Sequence, residues 1–432
     1  MPPPWLLNTS SYERRRGVKS PYAILSHRWQ SHPRFGDEIN FQSLDPGALS
    51  SHNIGLHQND SDEDRACCPL CKIKGACTKA REQKIDWLWV DTCCIDKHDA
   101  VEYKIAINSM FEYYRGATVC YGFLYDVAWR NGASGEQIFK SQDPKRHGLA
   151  SDWFERGWTL QELLAPQYME FYDRKWTFMG TKKKLAGDLS SLTRIDQKYL
   201  LESGEIKKAS VAARMSWMAG RTTSYIEDIA YSMLGILGVN MPVDYGEGAN
   251  AFMRLQRMLM ENSSDDSIFA WTIPTEGLKC YRALGKLKIW APSTLGPSTW
   301  GVLAPSPDCF RDSGDLVIAD KVIQRPFNLA PKGVQFLVAQ KSGTEATNWL
   351  GLPRKEVNLA LNCCRHVNEK TLNVVIHLLK QNDGYIRVRC GDLDSTKNAR
   401  PSTNIVLGVD QVVRRELTVA QPKFDPSDLI IY

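Results

Sequence analysis

Four short apolar runs separated by amphipathic stretches constrain this chain more than any other feature. Residues 21–26, 85–91, 117–124 and 168–172 each read as a buried strand, too short and too rich in β-branched and aromatic side chains for a helix. Between the second and third, Tyr103, Ile107, Met110, Phe111 and Tyr114 fall on one helical stripe, and Asp99 with Glu102 offers a capping-box start. Residues 72–81 read as another helix. Strand alternating with helix predicts an α/β domain, a parallel sheet flanked by helices. In such folds ligands meet the carboxyl ends of the strands. Ser26, His27, Arg28 and Trp29 lie at the end of the first strand, and Asp91 and Asp96 follow the second.

Residues 151–166 give the most detailed local reading. Asp152 with Glu155 reads as a capping box, Pro166 marks the far end, and one helix between them would set Trp158 and Glu162 a turn apart on one face. An indole beside a carboxylate can raise its pKa or aim it at a ligand. The plainer alternative is a capped amphipathic helix with a solvated glutamate.

The pattern changes along the chain. Residues 210–220, 226–237 and 250–261 read as helices. From about residue 269 the period shifts to two, with strands at 334–338, 357–361 and 372–379, and Asn382-Asp-Gly384 signals a hairpin. The expected organisation is therefore a short segment over 1–20, the α/β domain over 21–185 with an insertion at 45–70, a helical segment over 186–268 and a mostly β domain over 269–432. The last is expected to close as a sandwich or barrel. A length of 432 residues with 43% hydrophobic content fits two or three such units.

Composition excludes more than it identifies. The net charge of +5 arises from 54 basic against 49 acidic residues, too balanced to argue for nucleic acid or an anionic membrane. No apolar run reaches bilayer-spanning length and the amino terminus lacks a leader pattern, so a cytoplasmic protein is expected. Walker-type loops, zinc-protease helices, nucleophile elbows and repeats are absent from the sequence. The twelve cysteines show no disulfide framework. Cys67, Cys68, Cys71 and Cys77, preceded by His52 and His57, have ligand types that zinc uses, but no second paired element follows. Free thiols and no metal are the expected state.

Taken in order, YAILSHRW (22–29), DWLWVDTCCIDK (86–97), AINSMFEYY (106–114) and RGWTLQELLAP (156–166) closely resemble the fungal heterokaryon-incompatibility (HET) domain. The resemblance continues through EDIAYSMLGIL (227–237) and MPVDYGEG (241–248), about two thirds of the chain. Gln30 departs from the glycine usual in the family, and the insertion at 50–71 lengthens the first connection. The resemblance implies a role in allorecognition and programmed cell death, with other incompatibility proteins or self-association as partners. The domain is in turn distantly similar to TIR domains, hence flavodoxin-like in architecture. That likeness implies Glu162 as a catalytic residue for cleaving NAD, a substrate rather than a prosthetic group. Ser26, Arg28, Asp91 and Trp158 would then contact it: Trp158 walling the pocket, Arg28 pairing with a phosphate. Each has a structural alternative: Trp158 as core, Arg28 as a surface cation, Ser26 satisfying a strand end, Asp91 capping a helix.

Overall fold

The computed structural model describes residues 2–30, 36–52, 68–129, 137–143, 146, 148–272, 303–318, 327–330, 333–341, 356–367, 370–381, 384–388, 394–395 and 412–420. They form two compact units, one of residues 1–206 with 231–243 and one of 207–230 with 244–432. Among the described residues no helix is long and apolar enough to cross a membrane.

The first unit is organised by β3 (Ala23–His27), whose five residues are all buried. A strand buried on both faces needs neighbours on both edges and helices on both sides. β3 pairs in parallel with β4 (Trp87–Trp89) on one edge and with β5 (Val119–Leu124) on the other, and β5 pairs in parallel with β6 (Met169–Asp173). The chain thus leaves β3 toward β4, returns past it to β5, and moves outward to β6. That reversal creates a topological switch point between β3 and β5, where the loops beyond the strand ends diverge.

These central strands match the expectation, and the edges extend it. β1 (Trp5–Asn8), β2 (Arg14–Arg16) and β7 (Phe178–Thr181) join antiparallel, giving a mixed seven-stranded sheet in the order β2-β1-β4-β3-β5-β6-β7. The residues expected to precede the fold therefore belong to its sheet. Against the sheet pack the Pro69–Glu82 helix and the Ala100–Gly116 helix, the latter burying Ala106, Ile107, Met110, Phe111, Tyr113 and Tyr114. Asp99 caps the second of these, accepting from the Val101 and Glu102 amides. The Leu234–Leu237 turn of helix lies so close to it that a Cβ on Gly235 would collide with the Cβ of Phe111.

In the second unit, the Val211–Ser216 and Asn250–Asn262 helices accompany one eight-stranded sheet. Its long hairpin of β11 (Glu356–Val367) and β12 (Lys370–Gln381) continues into β13 (Gly384–Val388), with Gln381 opposite Gly384. That pairing is the predicted two-residue hairpin; Asn382 and Asp383 lie outside the described residues. The closed sandwich or barrel is not what the described strands form. They make a single sheet ending at β8 (Val317–Ile318) and β9 (Phe327–Ala330). Long antiparallel hairpins supply period-two patterning whether or not a sheet closes.

Candidate functional site

Ser26, the fourth residue of β3, has its hydroxyl at the carboxyl end of the central strand and donates to Glu162 Oε2 at 2.6 Å. The same hydroxyl accepts from Trp153 Nε1 at 3.0 Å. A serine with one donor and one acceptor in place has a fixed rotor, so the carboxyl group is held in one orientation. The Tyr114 hydroxyl donates to the Leu25 carbonyl at 3.1 Å and lies beside Glu162. Glu162 is only 6% exposed. Burial, reinforced by the nearby Asp91 charge, pushes its pKa up to about 8, against smaller opposing effects of Ser26, Tyr114 and Arg156. At neutral pH the group is mostly the neutral acid.

The helix carrying Glu162 differs from the expected one. Ser151, not Asp152, caps a 3-10 turn over Asp152–Glu155, and a separate helix, Trp158–Leu164, starts at Gly157 without a side-chain cap. Asp152 is occupied elsewhere: it accepts from Arg28 Nε at 2.5 Å and from the Tyr125 hydroxyl at 2.8 Å. Its buried carboxyl sits above the usual range because desolvation outweighs the Arg28 guanidinium. The break also changes which indole reaches the site. Trp153, fully buried before the break, meets Ser26, whereas Trp158 is half-buried at the first helical position and its side chain makes no hydrogen bond or ring contact among the described residues.

A second charged group adjoins Ser26. The buried His27 ring has Nδ1 3.8 Å from Asp91 Oδ1 and Nε2 3.8 Å from Glu38 Oε2, within ion-pair range yet too long for hydrogen bonds. Glu38 is in turn ion-paired with Lys72, which also donates to the Arg28 carbonyl at 3.4 Å. Burial alone would raise the Glu38 pKa, but Lys72 and His27 outweigh it and hold the carboxyl at about 2. Asp91 accepts from Trp29 Nε1 at 2.7 Å, and Lys97 lies 3.6 Å above the exposed Trp29 ring.

Of the residues expected to make a site, Ser26, Asp91 and Glu162 are therefore brought to one place, Arg28 turns to Asp152, and Trp158 stands off. His27 stands where the strand-end reading put it, whereas Trp153, Tyr114, Glu38 and Lys72 were not foreseen. Chemically, the arrangement offers a neutral buried acid held by a serine, with an imidazole between two carboxylates beside it.

The chain matches the family described as "Heterokaryon incompatibility protein (HET)" over residues 22–148. Over 255 residues, 59% of the chain, it is 36% identical to vegetative incompatibility protein HET-E-1 of Podospora anserina, and the match covers 17% of that protein. The chain thus spans under a fifth of this curated relative. No solved structure matches it.

Proposed function

We propose that this chain, which carries a HET domain, acts in fungal heterokaryon incompatibility, and that it triggers cell death by cleaving the nicotinamide-ribose bond of NAD at Glu162. The single observation behind the reading is the raised, buried carboxyl group on Ser26 at the switch point of a parallel sheet. NAD brings a positively charged pyridinium, which would lower the Glu162 pKa on approach and leave a carboxylate facing the ribose. As the bond to nicotinamide breaks, its electron pair leaves with the ring and positive charge develops on the sugar, which the carboxylate stabilises. Water then adds to the sugar, giving ADP-ribose, nicotinamide and a proton.

A second reading rests on two other observations. Glu162 is 6% exposed and Arg28 is committed to Asp152, so neither is presented to a ligand in this conformation. Both would then be parts of a non-catalytic module that works by assembling with other incompatibility proteins or with itself. Expression in a fungal host of wild type and of Glu162→Ala, scored together for viability and cellular NAD, separates the two. The catalytic reading expects both NAD loss and death to vanish in the variant; death without NAD loss in wild type, retained in the variant, supports the assembly reading.

A further inference from the structure

The Ser26–Glu162 site leaves unexplained a second convergence of reactive side chains, at the mouth of the Pro69–Glu82 helix. Cys68 is the N-cap of that helix, Cys71 lies in its first turn, and the two are 2% and 7% exposed. The Cys71 amide donates to Cys68 Sγ at 3.4 Å. That N–H···S contact draws the two cysteines together at the start of the helix. Toward this pair points His52, whose Nε2 is 3.2 Å from Cys71 Sγ and 3.8 Å from Cys68 Sγ. All three donor atoms lie within 4.8 Å of one another.

The distances can be compared with those a metal would impose. Tetrahedral zinc, with bonds of about 2.3 Å to sulfur and about 2.0 Å to nitrogen, sets neighbouring N and S atoms about 3.5 Å apart. The two observed N···S separations bracket that value. The imidazole is also delivered by a braced element. The short Pro46–Ser51 helix is capped by Asp45 and anchored by the buried Leu49, and His52 follows as its C-cap. Lys74, on the cysteine-bearing helix, donates to three carbonyls there, Leu49 at 3.1 Å, Ser50 at 3.2 Å and His52 at 2.6 Å. This clamp holds the histidine close to the cysteines through main-chain contacts rather than by chance side-chain rotamers. By contrast Cys77, six residues beyond Cys71 on the same helix, is a core thiol: fully buried, outside the cluster, and pushed up to about 12 by burial.

We propose that His52, Cys68 and Cys71 are ligands of a zinc ion. Two thiolates and an imidazole are a soft donor set that selects zinc over magnesium or calcium. Bound there, the ion would tie the end of the first helix to the start of the second within the connection from β3 to β4. Lys72, the neighbour of Cys71, is the cation on Glu38, so the ion would also steady that side of the His27 cluster. The inference stands apart from NAD cleavage and fails or holds independently of it.

The test uses the full chain purified without chelators. Elemental analysis is expected to find about one zinc per chain, lost in His52→Ala, Cys68→Ser and Cys71→Ser but kept in Cys77→Ala. Exchange with cobalt is expected to give the near-ultraviolet charge-transfer band of cobalt–thiolate bonds. Should a ligand variant fail to fold, the cobalt spectrum of the folded wild type decides by itself. Absence of both zinc and the cobalt band in folded wild type would overturn the proposal. So would zinc retained in all three ligand variants, or a Cys68–Cys71 disulfide in the freshly purified protein.

Discussion

Replacing Glu162 by glutamine removes a titrating proton while keeping a neutral, hydrogen-bonding side chain of the same size. Its folded pKa of about 8 lies above the ordinary value of 4.5, so below pH 4.5 the group is protonated in both states and costs nothing. Above that, the unfolded chain releases the proton and the folded chain keeps it, so stability falls as pH rises and levels off above about 8. At about 1.36 kcal/mol per pH unit the full loss is roughly 5 kcal/mol, of which about 3.5 kcal/mol falls between pH 5 and pH 8. Urea unfolding of wild type and Glu162→Gln across that range isolates the effect, because all other groups titrate in both proteins and cancel in the difference. The variant should gain on the wild type steadily with pH. Two curves that stay parallel from pH 5 to pH 8 would show that Glu162 ionises normally, and the argument from burial would be refuted.

Other perturbations reach the neighbouring groups. Ser26→Ala removes a bond that lowers the Glu162 pKa, so the pH-dependent loss should extend further upward than in wild type, read by the same titration. Lys72→Met strands the buried Glu38 carboxylate and should cost about 3–5 kcal/mol in denaturant unfolding, with Glu38→Gln added on top recovering most of it. The sign of Glu38 itself is opposite to that of Glu162: held at about 2, it contributes stability above pH 4.5 that should fade as pH falls toward 2, and Glu38→Gln should abolish that acid limb. Gly235→Ala drives a methyl into Phe111 and should destabilise by on the order of 1–3 kcal/mol, visible as a lowered melting temperature.

The strands of the sheet centre were legible because residues buried on both faces leave apolar runs, as in β5 and in Ala23–Leu25 at the start of β3. The edge strands were not. β2 is three arginines, and β1 and β7 are four residues each, too short for any period to emerge. Ser26 at a strand end and Glu162 on the helix after β5 were each singled out, but the bond between them was visible only in the fold. Trp153 gave no signal for a local reason. One helix was expected through Gly157, whereas the chain breaks there and starts again. Asp152 was misassigned for a different one: a capping box and a buried ion pair ask for the same residue type, and Arg28 is 124 positions away. Glu38 gave no signal in its polar surroundings, though Lys72 did, as a charge between the apolar Cys71 and Ile73. His52 and the two cysteines showed their ligand types in sequence, and only the fold could show that the three converge.

The catalytic claim meets its most direct test in nicotinamide release. The purified chain, alone and under conditions that promote self-association, is incubated with NAD beside Glu162→Gln and Glu162→Ala, with folding of each verified by circular dichroism. Turnover of NAD to nicotinamide and ADP-ribose by wild type, abolished in both variants, is the predicted result. No nicotinamide from well-folded wild type, or equal release by all three proteins, would contradict it and leave the Ser26–Glu162 pair as a buried structural bond.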